Sequence, residues 1–136
     1  MSNHSKQTLD SVDAAVTLEE QAVLAPIRSL VDSLAKRDKK AMLDVLLPDG
    51  GTTVVMNGKV LQFSLRGLVD RLPAGTRRIE ERIYDPLIRI DNDIAMVWAR
   101  YEFLIDGRVV QYGTDLFNLI HCDQRWLIAA IAYNSR

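Results

Sequence analysis

Cysteine is almost absent from the sequence, since Cys122 is the single one among 136 residues. One cysteine cannot form an intramolecular disulfide or a cysteine-based zinc site, and sparse cysteine is typical of a reducing compartment. Apolar runs of signal-peptide or membrane-spanning length are missing as well. The sequence therefore predicts a cytoplasmic protein that does not enter a membrane.

An excess of charge of either sign is also missing. The chain carries 17 basic and 18 acidic residues, which leaves a formal net charge of -1. Proteins that bind nucleic acid or an anionic membrane surface usually present clustered positive charge, so neither partner is predicted. Histidine is scarce too, with His4 in a polar N-terminal segment and His121 beside a turn. A metal site needs several converging ligands, and we predict no metal site and no cofactor.

What the sequence does contain is a large apolar fraction, 48% of its residues. At this length, that fraction is sufficient for one domain with a real core, which we assign to residues 17–136. Residues 1–16 are mostly polar and predict a mobile arm or a short accessory helix.

Helices are predicted in the first part of this domain. Thr17 and Glu20 have capping-box spacing, which predicts a helix that starts at Leu18. Pro26 interrupts the apolar pattern of that helix and predicts either a kink or two shorter pieces. A second helix is expected after Asp38, with its end at the sequence Pro-Asp-Gly-Gly of residues 48–51.

Strands are predicted in the remainder. Asn57-Gly58 separates two strand-forming runs and indicates a hairpin, and Ser64 is a suitable cap for a brief helix. Three further turns divide the rest into strands near residues 77–90, 94–105, 108–121 and 125–133. Helices followed by consecutive strands predict an α+β fold with about three helices on one sheet face.

A two-residue turn at Asp106-Gly107 would pair Ile105 with Arg108 and, by counting back, Trp98 with Asp115. A second turn at Asp123-Gln124 would pair Leu119 with Ile128. One face would then collect the candidate ligand-binding residues, which are Met96, Trp98, Arg100, Asp115, Phe117 and Asn134. Small residues beside them, Gly113, Ala130 and Ala132, predict room for a cavity.

The opposite face would be apolar and aromatic, and we expect a homodimer to form through it. Its predicted members are Tyr101, Phe103, Tyr112, Leu116, Ile131 and Tyr133. A register slip of one residue would exchange the two faces.

These segments together resemble a known superfamily. The stretch AKRDKKAMLDVLLPDG, the hairpin VVMNGKV, the short helix FSLRGLVDRL and the ending AMVWARYEFLIDGRVVQYGTDLFNLIHCDQRWLIAAIAYNS are similar to the nuclear transport factor 2-like superfamily, in particular its small SnoaL-like and lumazine-binding-like members. The resemblance extends from about Thr17 to Ser135. It implies a cone-shaped fold in which a curved, mixed or antiparallel sheet wraps around helices and encloses a pocket, and it implies frequent dimers.

The resemblance does not imply one reaction, because the superfamily includes isomerases, dehydratases, cyclases, epoxide hydrolases and binding modules. Arg100-Tyr101-Glu102 is similar to one element of limonene-epoxide-hydrolase-like sites, but Ala132 lies near the place of their second acid. Asp115 lies approximately where ketosteroid-isomerase-like proteins have a protonated acid, yet the first helix lacks their tyrosine.

We therefore expect a domain that binds a small planar or apolar molecule in a pocket between sheet and helices. One alternative is a SnoaL-like or ketosteroid-isomerase-like enzyme for isomerisation, dehydration or cyclisation, with Asp115 as acid or base and Arg100 stabilising negative charge. Another alternative is a non-catalytic dimeric scaffold, in which Arg100 and Asp115 form a structural ion pair. The charged run RRIEERI of residues 77–83 is interpreted as a solvated strand edge.

Overall fold

Three helices and a six-stranded sheet make up the part of the chain that the computed structural model describes, residues 16–136. Their bounds in chain order are α1 (Leu18–Ala35), α2 (Lys39–Asp44), β1 (Leu46–Met56), β2 (Lys59–Ser64), α3 (Leu65–Asp70), β3 (Ile79–Asp91), β4 (Ile94–Ile105), β5 (Arg108–Cys122) and β6 (Arg125–Ser135). The predicted N-terminal arm, apart from Val16, lies outside the described residues.

The sheet is mixed. Its strand order is β2-β1-β6-β5-β4-β3, and every neighbouring pair is antiparallel except β1 with β6, which is parallel. The helices pack on one face, where the main apolar core includes Leu24 and Ile27 of α1 and Ile128 of β6. The predicted α+β class is confirmed. No helix within residues 16–136 has the length and apolar character needed to cross a membrane.

Helix α1 begins as its sequence predicts. The Thr17 hydroxyl accepts a hydrogen bond from the Glu20 amide at 3.1 Å, and the Glu20 carboxylate accepts one from the Thr17 amide at 2.9 Å. Both bonds satisfy amides that have no partner within the first turn. Pro26 is buried inside this helix, which continues to Ala35 as one element. The alternative of two shorter helices was therefore wrong.

Helix α2 ends earlier than predicted, at Asp44, and residues 46–51 belong to β1. Leu46 is buried and pairs with Ile128, whereas Gly51 pairs with Ala130, so the residues between them form an irregular stretch. A Cβ atom on Gly50 would collide with the carbonyl oxygen of Ala129. The glycine thus permits a close approach of two strands rather than stopping a helix.

Two bulges change the predicted register of the sheet. The pairs at the turns, Ile105 with Arg108 and Leu119 with Ile128, form as predicted. Val110 is an extra residue in β5, because Leu104 pairs with Val109 and Phe103 pairs with Gln111. Ala129 is an extra residue of the same kind in β6. Beyond each bulge the pairing differs by one residue from the prediction, so that Trp98 pairs with Leu116 and Ala99 pairs with Asp115.

The predicted dimer surface is corrected by the same bulges. Four of its six residues line the cavity between the helices and the sheet, namely Tyr101, Phe103, Ile131 and Tyr133. Tyr112 and Leu116 lie on the opposite face, since Leu116 pairs with Trp98 rather than with an inward-facing residue. The six side chains consequently do not form one surface.

Candidate functional site

A cavity of about 240 Å³ lies between the helices and the sheet. Most of its wall is apolar, contributed by Leu30, Val31, Leu34, Met42, Leu68, Leu72, Pro73, Ile83, Phe103, Phe117 and Ile131. The polar side chains in the same wall are Arg71, Glu81, Tyr101, Gln111, Asp115 and Tyr133. A mostly apolar cavity with a few converging polar groups is the usual form of a small-molecule site.

Two carboxyl groups meet in this cavity. Asp115 on β5 is 4% exposed, and its carboxyl group is within hydrogen-bonding contact of Glu81 on β3. Burial raises the pKa of Asp115 well above its ordinary value of 3.8, and the neighbouring Glu81 raises it further. Burial also raises the pKa of Glu81, while the hydrogen bond from Asp115 opposes that rise. The pair therefore retains a shared proton to higher pH than an exposed carboxyl group does.

One atom of this pair is available to a ligand. Apart from the carboxyl contact with Glu81, the Oδ2 atom of Asp115 is buried and has no hydrogen-bond partner within residues 16–136. A buried polar atom without a partner costs roughly 1–3 kcal/mol, so a ligand that supplies the missing hydrogen bond is favoured.

Two tyrosines border the carboxyl pair. The Tyr101 hydroxyl donates to the carbonyl oxygen of Asn134 at 2.8 Å and accepts from the Gln111 amide nitrogen at 2.9 Å. Burial is the main cause that raises the pKa of Tyr101 to about 12. The ring of Tyr133 meets the ring of Tyr101 edge to face, with centroids 5.8 Å apart, and burial raises its pKa too. Both phenols are consequently neutral at physiological pH.

Glu81 also connects the cavity with the outside. Besides the cavity, it lines a surface cleft between α1 and β3 whose wall includes Arg28, Arg78 and Arg82. Asp115 lines the cavity but not the cleft. Glu81 is thus the member of the pair that is placed to exchange a proton with solvent.

Arg71 is exposed and contributes to the cavity wall from the end of α3. Its guanidinium carbon lies 4.0 Å from the centroid of the Phe63 ring, in a cation–π contact. No other arginine, lysine or histidine of residues 16–136 lines this cavity. In the same part of the chain, no group of three or more histidine, cysteine, aspartate or glutamate side chains is arranged to hold a metal ion.

The residues proposed from the sequence fall into two groups. Asp115 and Phe117 line the cavity. Trp98 and Arg100 lie on the opposite face of the sheet in a surface depression, and Met96 lies in another one. Arg100 therefore makes no ion pair with Asp115. The physical reason is the Val110 bulge, which moves Arg100 opposite Thr114.

Asn134 and Gly113 make structural contacts in place of the cavity roles predicted for them. The Asn134 side-chain oxygen accepts a hydrogen bond from the Thr114 amide at 2.8 Å. A Cβ atom on Gly113 would collide with the Asn134 carbonyl oxygen, so the space beside this glycine is filled by β6 and is not part of a cavity.

The sequence interpretation missed Glu81, Gln111 and Arg71 as cavity residues, and placed Tyr101 and Tyr133 on a dimer surface. A signal for Glu81 was present, because it lies between Ile79 and Ile83 in a strand whose alternate residues share a face. Both isoleucines are buried, at 1% and 2% exposed. A carboxylate on the same face of the strand as two buried isoleucines contradicts the interpretation of residues 77–83 as a wholly solvated edge.

A mixed sheet packed on helices is a fold that this chain shares with solved proteins described as NTF2-like. Residues 18–134 match the family described as "Putative lumazine-binding", and the chain is a member of that family. The resemblance predicted from the sequence is confirmed. No curated protein sequence is significantly similar to this chain.

Similar solved structures share the fold at low sequence identity. An NTF2-like protein of unknown function from Shewanella baltica is 20% identical, with 89% of this chain and 98% of that chain covered and a TM-score of 0.67. An NTF2-like protein from Cytophaga hutchinsonii is 17% identical, with 89% and 100% covered and a TM-score of 0.70. A protein of unknown function with a cystatin-like fold from Nostoc punctiforme is 12% identical, with 89% and 93% covered and a TM-score of 0.71.

Proposed function

We propose that this protein binds a small, mainly apolar molecule in the cavity between its helices and its sheet, with a neutral polar group of that molecule hydrogen-bonded to the Glu81–Asp115 pair. The observation that carries the proposal is the unpartnered Oδ2 atom of Asp115 inside an otherwise apolar wall. This atom can accept a hydrogen bond from a ligand hydroxyl. When Asp115 is protonated and turns its proton away from Glu81, it can instead donate a hydrogen bond to a ligand carbonyl.

The size of the cavity limits the ligand. An apolar cavity of roughly 150 Å³ holds a benzene molecule, whereas sites for drug-sized ligands are roughly 300–1,000 Å³. At about 240 Å³, this cavity suits a single ring with small substituents. Family membership supports a ligand-binding role in general terms.

Benzene and phenol are suitable probes, because they differ by one hydroxyl group. We expect phenol to bind at least about tenfold more tightly than benzene, as a satisfied buried polar atom contributes roughly 1–3 kcal/mol. Binding would be measured by the shifts of cavity methyl and tyrosine signals in NMR spectra. The Asp115→Leu variant should lose the preference for phenol, while Glu80→Gln, which changes a carboxylate outside the cavity, should retain it. Absence of binding by both probes would overturn the proposal.

The carboxyl pair supports a second candidate function, acid–base catalysis on a carbonyl compound. Glu81, as the ionised member, would accept a proton from the carbon beside the carbonyl group. Asp115, as the protonated member, would turn its hydrogen bond from Glu81 to the carbonyl oxygen as that oxygen becomes an enolate. Return of the proton to a carbon completes an isomerisation. Arg100, the cation proposed for this role from the sequence, is on the other face of the sheet.

Deuterium exchange tests this chemistry without knowledge of the substrate. Cyclohexanone in D₂O would lose its α-proton NMR signal, because Glu81 exchanges the abstracted proton with solvent. An acceleration of about 100-fold over buffer is expected for a positioned base. Glu81→Gln and Asp115→Asn should each remove it, and Glu80→Gln should not. An exchange rate equal to that of buffer, or one that both cavity variants retain, would rule out the catalytic candidate.

A further inference from the structure

Arg71 has no carboxylate partner within residues 16–136. Its side-chain contact is the ring of Phe63 on β2, 4.0 Å from the guanidinium carbon. Stacking of this kind holds the planar group in place through its face and leaves its N–H edge able to bind an oxyanion. An exposed arginine held in this manner in a cavity wall is suited to ligand binding rather than to a structural ion pair.

The charge of Arg71 also acts inside the cavity. Tyr133, which lines the same wall, has a pKa that burial and the two carboxyl groups raise and that Arg71 lowers. An anionic ligand group would be attracted towards Arg71, which is exposed, and repelled from the interior by the Glu81–Asp115 pair. The two ends of the cavity therefore select for different groups on one molecule.

We infer that the ligand is a single-ring monocarboxylate, whose carboxylate group contacts Arg71 at the cavity mouth and whose neutral hydroxyl or carbonyl group contacts the Glu81–Asp115 pair inside. This inference rests on the proposed function, and it adds the charge class of the ligand and Arg71 as a residue that determines specificity. Arg71 would act as a positively charged hydrogen-bond donor to the carboxylate.

Three aromatic probes test the inference, and two of them differ in charge but hardly in size. They are para-hydroxybenzoate, its neutral counterpart para-hydroxybenzamide, and phenol, and their dissociation constants would be measured by NMR titration near neutral pH. We expect the benzoate to bind about tenfold more tightly than the benzamide to the wild-type protein. That preference should decrease with added salt, because Arg71 is exposed and its charge is screened.

The variant Arg71→Gln should bring the two affinities to within about twofold of each other and leave the affinity for phenol unchanged. The α3 cap is preserved in this variant, because it uses the main-chain amide of residue 71. Arg66→Gln is the matched control, since Arg66 is an exposed arginine of the same helix that does not line the cavity. It should retain the full preference.

The outcomes separate the two proposals. If phenol and the benzamide bind but the benzoate binds no more tightly, or if Arg71→Gln keeps the preference, the inference about Arg71 is wrong and the proposed function stands. If none of the three probes binds, both are overturned.

Discussion

At the scale of single residues, the surroundings of Asp115 oppose the ionisation that is usual for an aspartate side chain. An exposed aspartate is easily ionised at neutral pH, but burial and Glu81 both raise the pKa of Asp115 above 3.8. The folded protein therefore binds more protons than the unfolded chain at pH values between 3.8, the ordinary pKa of an aspartate, and the higher pKa of Asp115 in the folded protein. In that range the free energy of unfolding falls as pH rises.

Replacement of Asp115 by asparagine is expected to weaken this pH dependence. The variant should resemble the wild-type protein near pH 3, where the aspartate is largely protonated in both states, and should be relatively more stable towards pH 8. Urea unfolding at several pH values would measure the difference. Asp91→Asn, which changes an exposed aspartate, is the control and should leave the slope unaltered. A wild-type stability that rises over this whole range would contradict the expected ionisation of the pair.

The same residue was identified from the sequence, whereas its partner was not. Asp115 interrupts an apolar strand, and this interruption is visible in the sequence. Glu81 lies among other charged residues in the sequence. It reaches the cavity because β3 pairs with β4, which brings the helix-side face of β3 over the cavity. The composition of the strand did not distinguish Glu81 from its exposed neighbours, although the alternation of Glu81 with Ile79 and Ile83 was a usable signal.

At the scale of the elements, the approach of β6 to β5 depends on Gly113. A Cβ atom at this position would collide with the main chain of Asn134, whose carbonyl oxygen also accepts the hydrogen bond of Tyr101. The glycine thus allows the contact that orients a cavity tyrosine. Gly51 provides a comparison within the sheet, because a Cβ atom there would have no neighbour within 4 Å.

Gly113→Ala should lower the free energy of unfolding by about 1–3 kcal/mol, the usual cost of an added methyl group in a close-packed place. It should also weaken the hydrogen bond between Tyr101 and Asn134, which would shift the Tyr101 ring signals in NMR spectra. Gly51→Ala should change stability by no more than about 0.5 kcal/mol. Equal stabilities of the two variants would show that the strands separate at little cost.

Turns were predictable at this scale and bulges were not. Asn57, Asp106 and Asp123 have positive φ angles of 53°, 51° and 51°, and asparagine and aspartate tolerate this conformation better than most residues do. Val110 and Ala129, in contrast, are ordinary residues with no preference for a bulge. Their irregular pairing is decided by how neighbouring strands fit together, which no local pattern records.

At the scale of the whole molecule, the face of the sheet opposite the helices remains partly apolar. Across β3, β4, β5 and β6, one row of paired residues consists of Leu87, Trp98, Leu116 and Ala132. The Trp98 side chain is 50% exposed, and Leu87 is 44% exposed. Arg100 and Glu102 follow Trp98 on this face and have opposite charges.

We propose that a second copy of the chain covers this row, since a two-fold related copy would remove its half-exposed apolar side chains from water. Trp98→Glu should convert the dimer to a monomer in sedimentation experiments, because it adds charge to an apolar contact. Leu18→Glu is the control, as Leu18 is 83% exposed at the start of α1. A monomeric wild-type protein, or a dimer that Trp98→Glu leaves intact, would refute this mode of association.

The sequence by itself determined the α+β class, the capped start of α1, the turns and the family, because these depend on local conformational preferences and on the order of the elements. Only the tertiary structure decided which residues face the cavity. Side chains alternate between the two faces of a strand, so the single extra residue at Val110 was enough to separate Trp98 and Arg100 from Asp115. The bulges at Val110 and Ala129 brought Tyr101 and Tyr133, respectively, to the cavity, where Asp115 meets Glu81.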